Sequence, residues 1–389
     1  MMTTGPVLWV TGPMGVGKST VSWQLFTELT GSGMRAAFAD ADQLCMCYPA
    51  QQDDLGRDRL RARNAGTVIR NYQAAGAHCV IVNGVVDPAL GVPRDLLGPA
   101  AVTVCRLRAD PGEVVRRLAG RQPHGGDEAD AVRLVREDCA HLDASGFADV
   151  CVDTTGVPAT EVPRLVRDGC HGWPGFSGVA GRPPDADPGI LAGPADGASG
   201  QVLLLCGPPG AGKSTIGFQL YLRCLHAGLT AGYIDLDQIG FLTPPAGDDP
   251  FNHRLKAANL AAIWRTYHAA GASHLVLAGP AGNQAALGTY LAALPSAAVT
   301  ACRLHAGPAE LRRRIMARGA GGSWPQPGDP LRGRPASYLA RVAERAAADA
   351  QALDRAQLSA VRIDTGGHTA AQAADLIASA AGWPGQAPH

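Results

Sequence analysis

Two stretches of this chain leave the backbone few alternatives. Gly12-Pro13-Met14-Gly15-Val16-Gly17-Lys18-Ser19-Thr20 and Gly207-Pro208-Pro209-Gly210-Ala211-Gly212-Lys213-Ser214-Thr215 both fit the pattern G-x-x-x-x-G-K-[ST]. Glycines at these places let a loop curl so that its amide N–H groups point inward, which makes a cradle for phosphate oxygens. An apolar run precedes each copy (7–10 and 202–205), and an amphipathic run follows each (21–29 and 216–225). A strand, a loop and a helix in that order are the context in which the motif is informative. Gly12, Gly15 and Gly17, and Gly207, Gly210 and Gly212, are expected to shape the cradles. Lys18 and Lys213 would reach the β- and γ-phosphates of ATP. Ser19 and Ser214, each followed by a threonine (Thr20, Thr215), would face Mg²⁺.

Composition adds weight to both copies. The chain has 34 basic residues, of which only three are lysines: Lys18, Lys213 and Lys256. A compact ammonium suits a phosphate groove differently from a planar guanidinium. A chain that otherwise uses arginine but keeps lysine in both loops is expected to bind nucleotide in both.

The spacing between the loops recurs along the chain. An offset of 195 residues carries Lys18 to Lys213, Asp40 to Asp235, Asp42 to Asp237, Arg59 to Arg254, Asn64 to Asn259, Tyr72 to Tyr267 and Gly76 to Gly271. After a small shift in register, Cys105-Arg106-Leu107 matches Cys302-Arg303-Leu304, and Val152-Asp153-Thr154 matches Ile363-Asp364-Thr365. Trp173-Pro174 and Trp383-Pro384 close the two copies. Such a period means two whole domains, expected at 1–174 and 201–389. They would be joined by a linker, 175–200, rich in Gly, Pro, Ala and Asp. Within each copy near-continuous apolar strands alternate with helices, which predicts a parallel sheet with helices on both faces. Ligands of such sheets sit at the carboxyl ends of the strands, where both loops fall.

The totals exclude some classes. Basic and acidic residues both number 34 in 389, so no global field argues for nucleic acid or a membrane surface. The N-terminus enters a strand without a signal-like region, and no apolar run is long enough for a bilayer; a cytoplasmic protein is expected. The ten cysteines are scattered and read as free thiols in a reducing compartment. Cys45-x-Cys47 lacks the second pair that a zinc site needs. Trp9, Tyr72, Trp264 and Tyr267 read as core, and the histidines show no paired spacing.

The second chemical signal is an acidic pair after the second strand: Asp40-Ala41-Asp42 and Asp235-Leu236-Asp237. Residues two apart on a strand face the same side, so both carboxylates can serve one site. One (Asp40, Asp235) would hold the metal, and the other (Asp42, Asp237) would accept a proton from an attacking hydroxyl. Helix capping is the alternative.

With these motifs the chain resembles P-loop small-molecule kinases of the shikimate, gluconate and adenylylsulfate kinase type. The resemblance covers nearly the whole of each half, with Val152-Asp153-Thr154 and Ile363-Asp364-Thr365 similar to the stretch beside the adenine. It implies two P-loop NTPase domains of nucleoside-monophosphate-kinase-like α/β fold. It implies Mg²⁺ near Ser19 and Asp40 and near Ser214 and Asp235, with Asp42 and Asp237 against the acceptor. The third strand departs from many NTPases, ending in Asn83-Gly84 or Ala278-Gly279 without an acid.

Arg116, Arg117 and Arg121, and Arg313, Arg314 and Arg318, lie where the resemblance places a mobile lid. Arg117 and Arg314 are expected to stabilise the transferred group, and Arg121 and Arg318 to bind nucleotide. A solvated helix face is the alternative. Arg59, Arg61 and Asn64, and Arg254, Lys256 and Asn259, open the helix after the acidic pair and are candidates for binding an anionic or polar acceptor. The reading is an ATP-dependent phosphotransferase acting on a small-molecule hydroxyl, with no nucleic acid or membrane partner and room for a homodimer. The competing readings are an ATP-binding regulatory or assembly module and a polynucleotide-end kinase.

Overall fold

The computed structural model describes residues 5–119, 128–175, 191–322, 328–356 and 361–384. The chain begins β1 (Val7–Thr11), α1 (Lys18–Gly31), β2 (Ala36–Asp40), β3 (Cys47–Tyr48), α2 (Asp58–Ala74) and β4 (Cys79–Asn83). It continues β5 (Val102–Arg108), α3 (Pro111–Ala119), α4 (Glu128–Ala144), β6 (Val150–Asp153) and α5 (Val162–Gly169). Next come β7 (Gly200–Cys206), α6 (Lys213–His226), β8 (Ala231–Asp235), β9 (Phe241–Thr243), α7 (His253–Ala269) and β10 (His274–Ala278). Last are α8 (Gln284–Ala292), β11 (Ala297–His305), α9 (Pro308–Gly319), α10 (Ala336–Ala356), β12 (Val361–Asp364) and α11 (Ala370–Ala381). The apolar runs expected to be strands lie in β1 and β7, and the amphipathic runs lie inside α1 and α6.

Two compact units result. The first takes its described residues from Met1–Cys45, Gln52–Leu191 and Phe241–Asn252; the second takes them from Met46–Gln51, Ala192–Gly240 and His253–His389. The first sheet runs β6-β5-β1-β4-β2-β9 and the second β12-β11-β7-β10-β8-β3, the same order position by position. In each, five strands are parallel and the short edge strand, β9 or β3, is antiparallel.

The edge strands were not legible as strands in the sequence. Each lies in the segment that follows an acidic pair, yet pairs in the unit built mostly from the other half of the chain. Physical need explains the pairing. Strand β2 is buried along its whole length, and an unpaired edge there would leave backbone groups without partners. Phe241 of β9 also completes an aromatic cluster, its ring 5.1 Å from Trp23 and 5.7 Å from Phe38, both near edge-on. The stretch expected to be linker is shorter on the described side. Residues 192–199 pack onto the second unit, where Arg265 donates to the Gly193 and Pro194 carbonyls and the Trp264 indole to the Ala198 carbonyl. Residues 176–190 lie outside the described residues.

Alternation places the cores. On one face of the first sheet Leu8, Val10 and Ile81 pack with Leu25 and Phe26 of α1 and Val166 of α5. Trp9 and Val82 point the other way, and the Tyr72 hydroxyl of α2 donates to the Phe38 carbonyl. The second unit repeats this: Leu203, Leu205 and Val276 pack with Leu220 of α6 and Ile377 of α11, while Trp264 and Tyr267 are wholly buried on α7. Both candidate loops therefore emerge from a central strand, β1 or β7, flanked by two parallel neighbours. No helix among the described residues is long and apolar enough to cross a membrane.

Candidate functional site

Each cradle is built by backbone conformation. Gly12, Gly15 and Gly17 all have positive φ (141°, 86° and 107°), as do Gly207, Gly210 and Gly212 (145°, 82° and 95°). At Gly12 only glycine fits, because a Cβ would lie 2.3 Å from the Leu107 carbonyl oxygen. The N–H groups of Gly15, Gly17, Gly210 and Gly212 donate to no other described residue, and α1 and α6 start at the motif lysines. Open amides beside a helix N-terminus are what a triphosphate requires, so the residues fit the nucleotide on their own geometry. The lysines curl over their own loops: Lys18 Nζ donates to the Gly12 and Pro13 carbonyls (2.8 and 3.1 Å), and Lys213 Nζ to those of Gly207 and Pro208 (2.9 and 3.1 Å). Burial lowers the Lys213 pKa, opposed by the charges of Asp237 and Asp235.

The acidic pairs reach the same place by a route other than the one expected from strand alternation. Strands β2 and β8 end at the first aspartate, and the second lies in the turn beyond. That turn is pinned: the Ala41 N–H donates to the Asn83 carbonyl and the Asp42 N–H to Asp40 Oδ1 (2.7 and 3.0 Å). Leu236 and Asp237 make the equivalent bonds to the Ala278 carbonyl and Asp235 Oδ1 (2.8 and 3.0 Å). Asp40 is buried, and burial followed by the Asp42 charge pushes its pKa to about 7. Burial and Asp237 raise Asp235 in the same way.

The metal end differs between units. In the second, the Ser214 hydroxyl donates to Asp235 Oδ2 at 2.7 Å. In the first, Asn83 Nδ2 donates to Ser19 Oγ at 3.3 Å, and Asn83 works against the burial that raises the Asp40 pKa. Asn83, which stands where an acid was missed in the sequence, thus lies beside both groups. No cluster of three or more His, Cys, Asp or Glu side chains suited to a metal exists among the described residues. A hydroxyl and one buried carboxylate, with Asn83 Oδ1 lacking a partner, fit Mg²⁺, which takes few protein ligands and keeps water and phosphate as the rest.

Several expected roles change. Arg59 and Arg254 are exposed; the cations that meet the second aspartates are their neighbours Arg61 and Lys256. Arg61 Nε lies 3.2 Å from Asp42 Oδ1, and Lys256 Nζ lies 2.9 Å from Asp237 Oδ1. The reason is helical phase: positions 59 and 254 fall on the solvent side, whereas 61 and 256 face the sheet end. Desolvation pushes the Asp237 pKa up, but the Lys256 charge and hydrogen bond, with Lys213 and Arg318, hold it below the usual range. Asn64 and Asn259 do not reach toward an acceptor with their amide nitrogens. These donate to the Leu44 and Ile239 carbonyls (2.6 and 2.7 Å), fixing the turn after the acidic pair.

Arg117 and Arg314 were expected against the transferred group, and the structure makes them braces instead. Arg117 donates to the Val16 carbonyl (3.1 Å) and the Thr154 hydroxyl and carbonyl (3.2 and 2.9 Å), and pairs with Glu113. Arg314 spans the Gly210 and Ala211 carbonyls and the Thr365 hydroxyl and carbonyl, and pairs with Glu310. With its N–H groups so engaged, each guanidinium ties the back of the cradle to the turn after the last strand. Arg116 and Arg313 are exposed. Arg318 is the lid arginine that converges on the site: Asp329 holds it at 2.8 Å, and its charge acts on Lys213 and Asp237. Arg121 and the stretch after it, 122–127, lie outside the described residues. None of the ten cysteines forms a disulfide, and only Cys151 is exposed.

Residues 7–141 match a family model described as an AAA domain. No curated protein sequence matches the chain. Among solved structures the chain is similar to a sugar kinase from Janibacter sp., with 16% identity, 45% of this chain and 99% of that one covered, and a TM-score of 0.32. It is similar to the Deinococcus radiodurans tunicamycin resistance protein, at 20% identity, 44% and 97% coverage and a TM-score of 0.33. It is similar to a shikimate kinase from Bacteroides thetaiotaomicron, at 14% identity, 43% and 98% coverage and a TM-score of 0.31.

Proposed function

We propose that this chain is a phosphotransferase with one site in each unit, each moving the γ-phosphoryl group of ATP to a hydroxyl of a small molecule. The two units would be duplicates, which the shared strand order and the offset of 195 residues support. The observation that carries the activity is in the second unit. There Lys213, Ser214, Asp235, Asp237, Lys256 and Arg318 interact with one another at the carboxyl ends of β7 and β8. Such a charge cluster beside an open amide cradle suits phosphoryl transfer, in which the protein supplies positioning and electrostatics.

The residues divide the work. The cradle amides and Lys18 or Lys213 hold the triphosphate; Lys213 leaves its own loop carbonyls for the phosphates. Asp42 or Asp237 accepts the acceptor's hydroxyl proton while the oxygen bonds to the γ-phosphorus. The bond from that phosphorus to the β–γ bridging oxygen breaks, and ADP leaves with the electron pair. An aspartate kept ionised by Lys256 acts chiefly by aligning the hydroxyl, as a weak base does in a loose transition state. Bound Mg²⁺ would offset phosphate charge, and Ser19 with Asp40, and Ser214 with Asp235, are the residues that would hold it. Arg314 and Arg117 keep the cradle in register with the Asp-Thr turn.

The test is the pair of substitutions Asp42→Asn and Asp237→Asn in one chain, assayed with Mg-ATP against sugars, cyclitols, nucleosides and aminoglycoside-like compounds by mass spectrometry. Acceptors phosphorylated by the parent chain should lose at least about a hundredfold in rate, in the range seen when a positioned proton acceptor is removed. Undiminished transfer would refute the assignment.

A further inference from the structure

The two candidate sites are built on one plan but differ where the acceptor would lie. In the first unit, Arg61 is enclosed by carboxylates. Its guanidinium meets Asp42 at 3.2 Å, Asp58 at 2.7 Å and the Gly56 carbonyl at 3.5 Å, and the Cys45 thiol lies within hydrogen-bonding reach. Two carboxylates surround one cation, and Asp87 adds its charge to Asp58. That end of the site is net negative.

In the second unit the same three positions read differently. Lys256 replaces Arg61, His253 replaces Asp58 and Gly240 replaces Cys45, each at the offset of 195. The changes fit one another. The Lys256 stem fills the volume that a side chain at 240 would need: a Cβ there would lie 2.4 Å from Lys256 Cγ. The ammonium, on a buried residue, is delivered 2.9 Å from Asp237 Oδ1 and makes no other hydrogen bond among the described residues. An ammonium carries three donors. Two remain, beside a carboxylate whose own side chain is 55% exposed. Arg318 also acts on Asp237, from the lid side. Lysine is so scarce in this chain that its only use outside the two cradles, at this point, marks a specific need.

We propose that the two units act on different acceptors divided by charge. The second takes a hydroxyl compound bearing a carboxylate or phosphate, which docks on the Lys256 ammonium beside Asp237. The first takes an uncharged or cationic hydroxyl compound. The inference rests on the acceptor end of the proposed site, but its test reads binding and does not need transfer.

Calorimetry on the full chain with Mg-ADP would use galactonate and galactose 6-phosphate as anionic probes, and galactitol and galactosamine as neutral and cationic ones. One anionic probe should bind once per chain, and the better of the two identifies carboxylate or phosphate as the group. Lys256→Met should weaken it at least about tenfold, the scale of a lost charge-assisted hydrogen bond. His253→Asp, which rebuilds the first unit's arrangement without emptying the core, should weaken it similarly. Neither variant should change galactosamine binding. Two anions per chain, equal weakening of anionic and neutral probes, anion binding indifferent to both variants, or no anion binding at all would each overturn the proposal. Anion binding without phosphorylation of any probe when Mg-ATP replaces Mg-ADP keeps this inference and counts against the transferase reading. Phosphorylation of galactitol by both units does the reverse.

Discussion

Replacing Phe241 by alanine should cripple the first site while leaving the second intact, although residue 241 lies in the second half of the chain. Phe241 sits on β9, which closes the β2 edge of the first sheet, and its ring contacts Trp23 and Phe38 edge-on. A fully buried phenylalanine costs about 3–5 kcal/mol when cut to alanine. Phe241 is partly exposed, so the cost falls below that range, to about 2–3 kcal/mol including the two aromatic contacts. For a unit of this size each kcal/mol moves the melting temperature by about 2–4 °C, so the expected fall is roughly 5–10 °C. Because β2 ends in Asp40, loosening its edge also frees the carboxylate proposed to hold Mg²⁺. Hydrogen exchange read by mass spectrometry should show faster exchange in peptides covering β2 and unchanged exchange in β8. In a Lys213→Ala background, where only the first cradle is functional, nucleotide affinity should fall. Unchanged protection of β2, or a loss confined to β8, would refute the exchanged-strand architecture.

Two further expectations concern the braces. Arg314→Met removes the tie between Thr365 and the Gly210 and Ala211 carbonyls, so the KM for ATP in the second unit should rise about tenfold or more, as for a lost charged hydrogen-bond set, with the acceptor KM little changed. Equal changes in both constants would contradict a nucleotide-side role. The same brace has a pH signature. Hydrogen bonding from Arg313, and then from Arg314, against some desolvation, holds Glu310 at about 2, below its ordinary value. A depressed carboxylate contributes stability that is present above its unfolded pKa and disappears as pH falls through the folded one. The second unit's melting temperature should therefore drop between about pH 4.5 and pH 2. Glu310→Gln should flatten that drop, and an unaltered profile would count against the pair.

The fold was readable because its strongest signals are local. Glycine spacing, an apolar strand before it and a helical period after it specify a P-loop unit without knowledge of distant contacts, and the repeated order of elements follows from the repeated pattern. The edge strands were not readable. Cys47-Tyr48 and Phe241-Leu242-Thr243 are too short to show alternation, and what makes them strands is an unsatisfied edge far away in sequence.

At the candidate site, Lys18, Ser19, Asp40 and their counterparts could be named from sequence because each belongs to a recurring motif. Arg61 and Lys256 were less so, since the residues two places before them, Arg59 and Arg254, carry the same charge. A helix-phase argument would have separated them: buried Asn64, Val68 and Tyr72 define the inward stripe, and position 61 lies on it while 59 lies on the opposite face. The brace formed by Arg117 and Arg314 depends on carbonyls about a hundred residues away, and no spacing rule encodes that.

The central claim is tested most directly by incubating the chain with [γ-³²P]ATP, Mg²⁺ and a small-molecule panel, then separating products. The parent chain should place label on a discrete acceptor. Lys18→Ala and Lys213→Ala should each remove part of that label, and the two together nearly all of it. Label released only as inorganic phosphate, or transfer that survives loss of both lysines, would contradict the account.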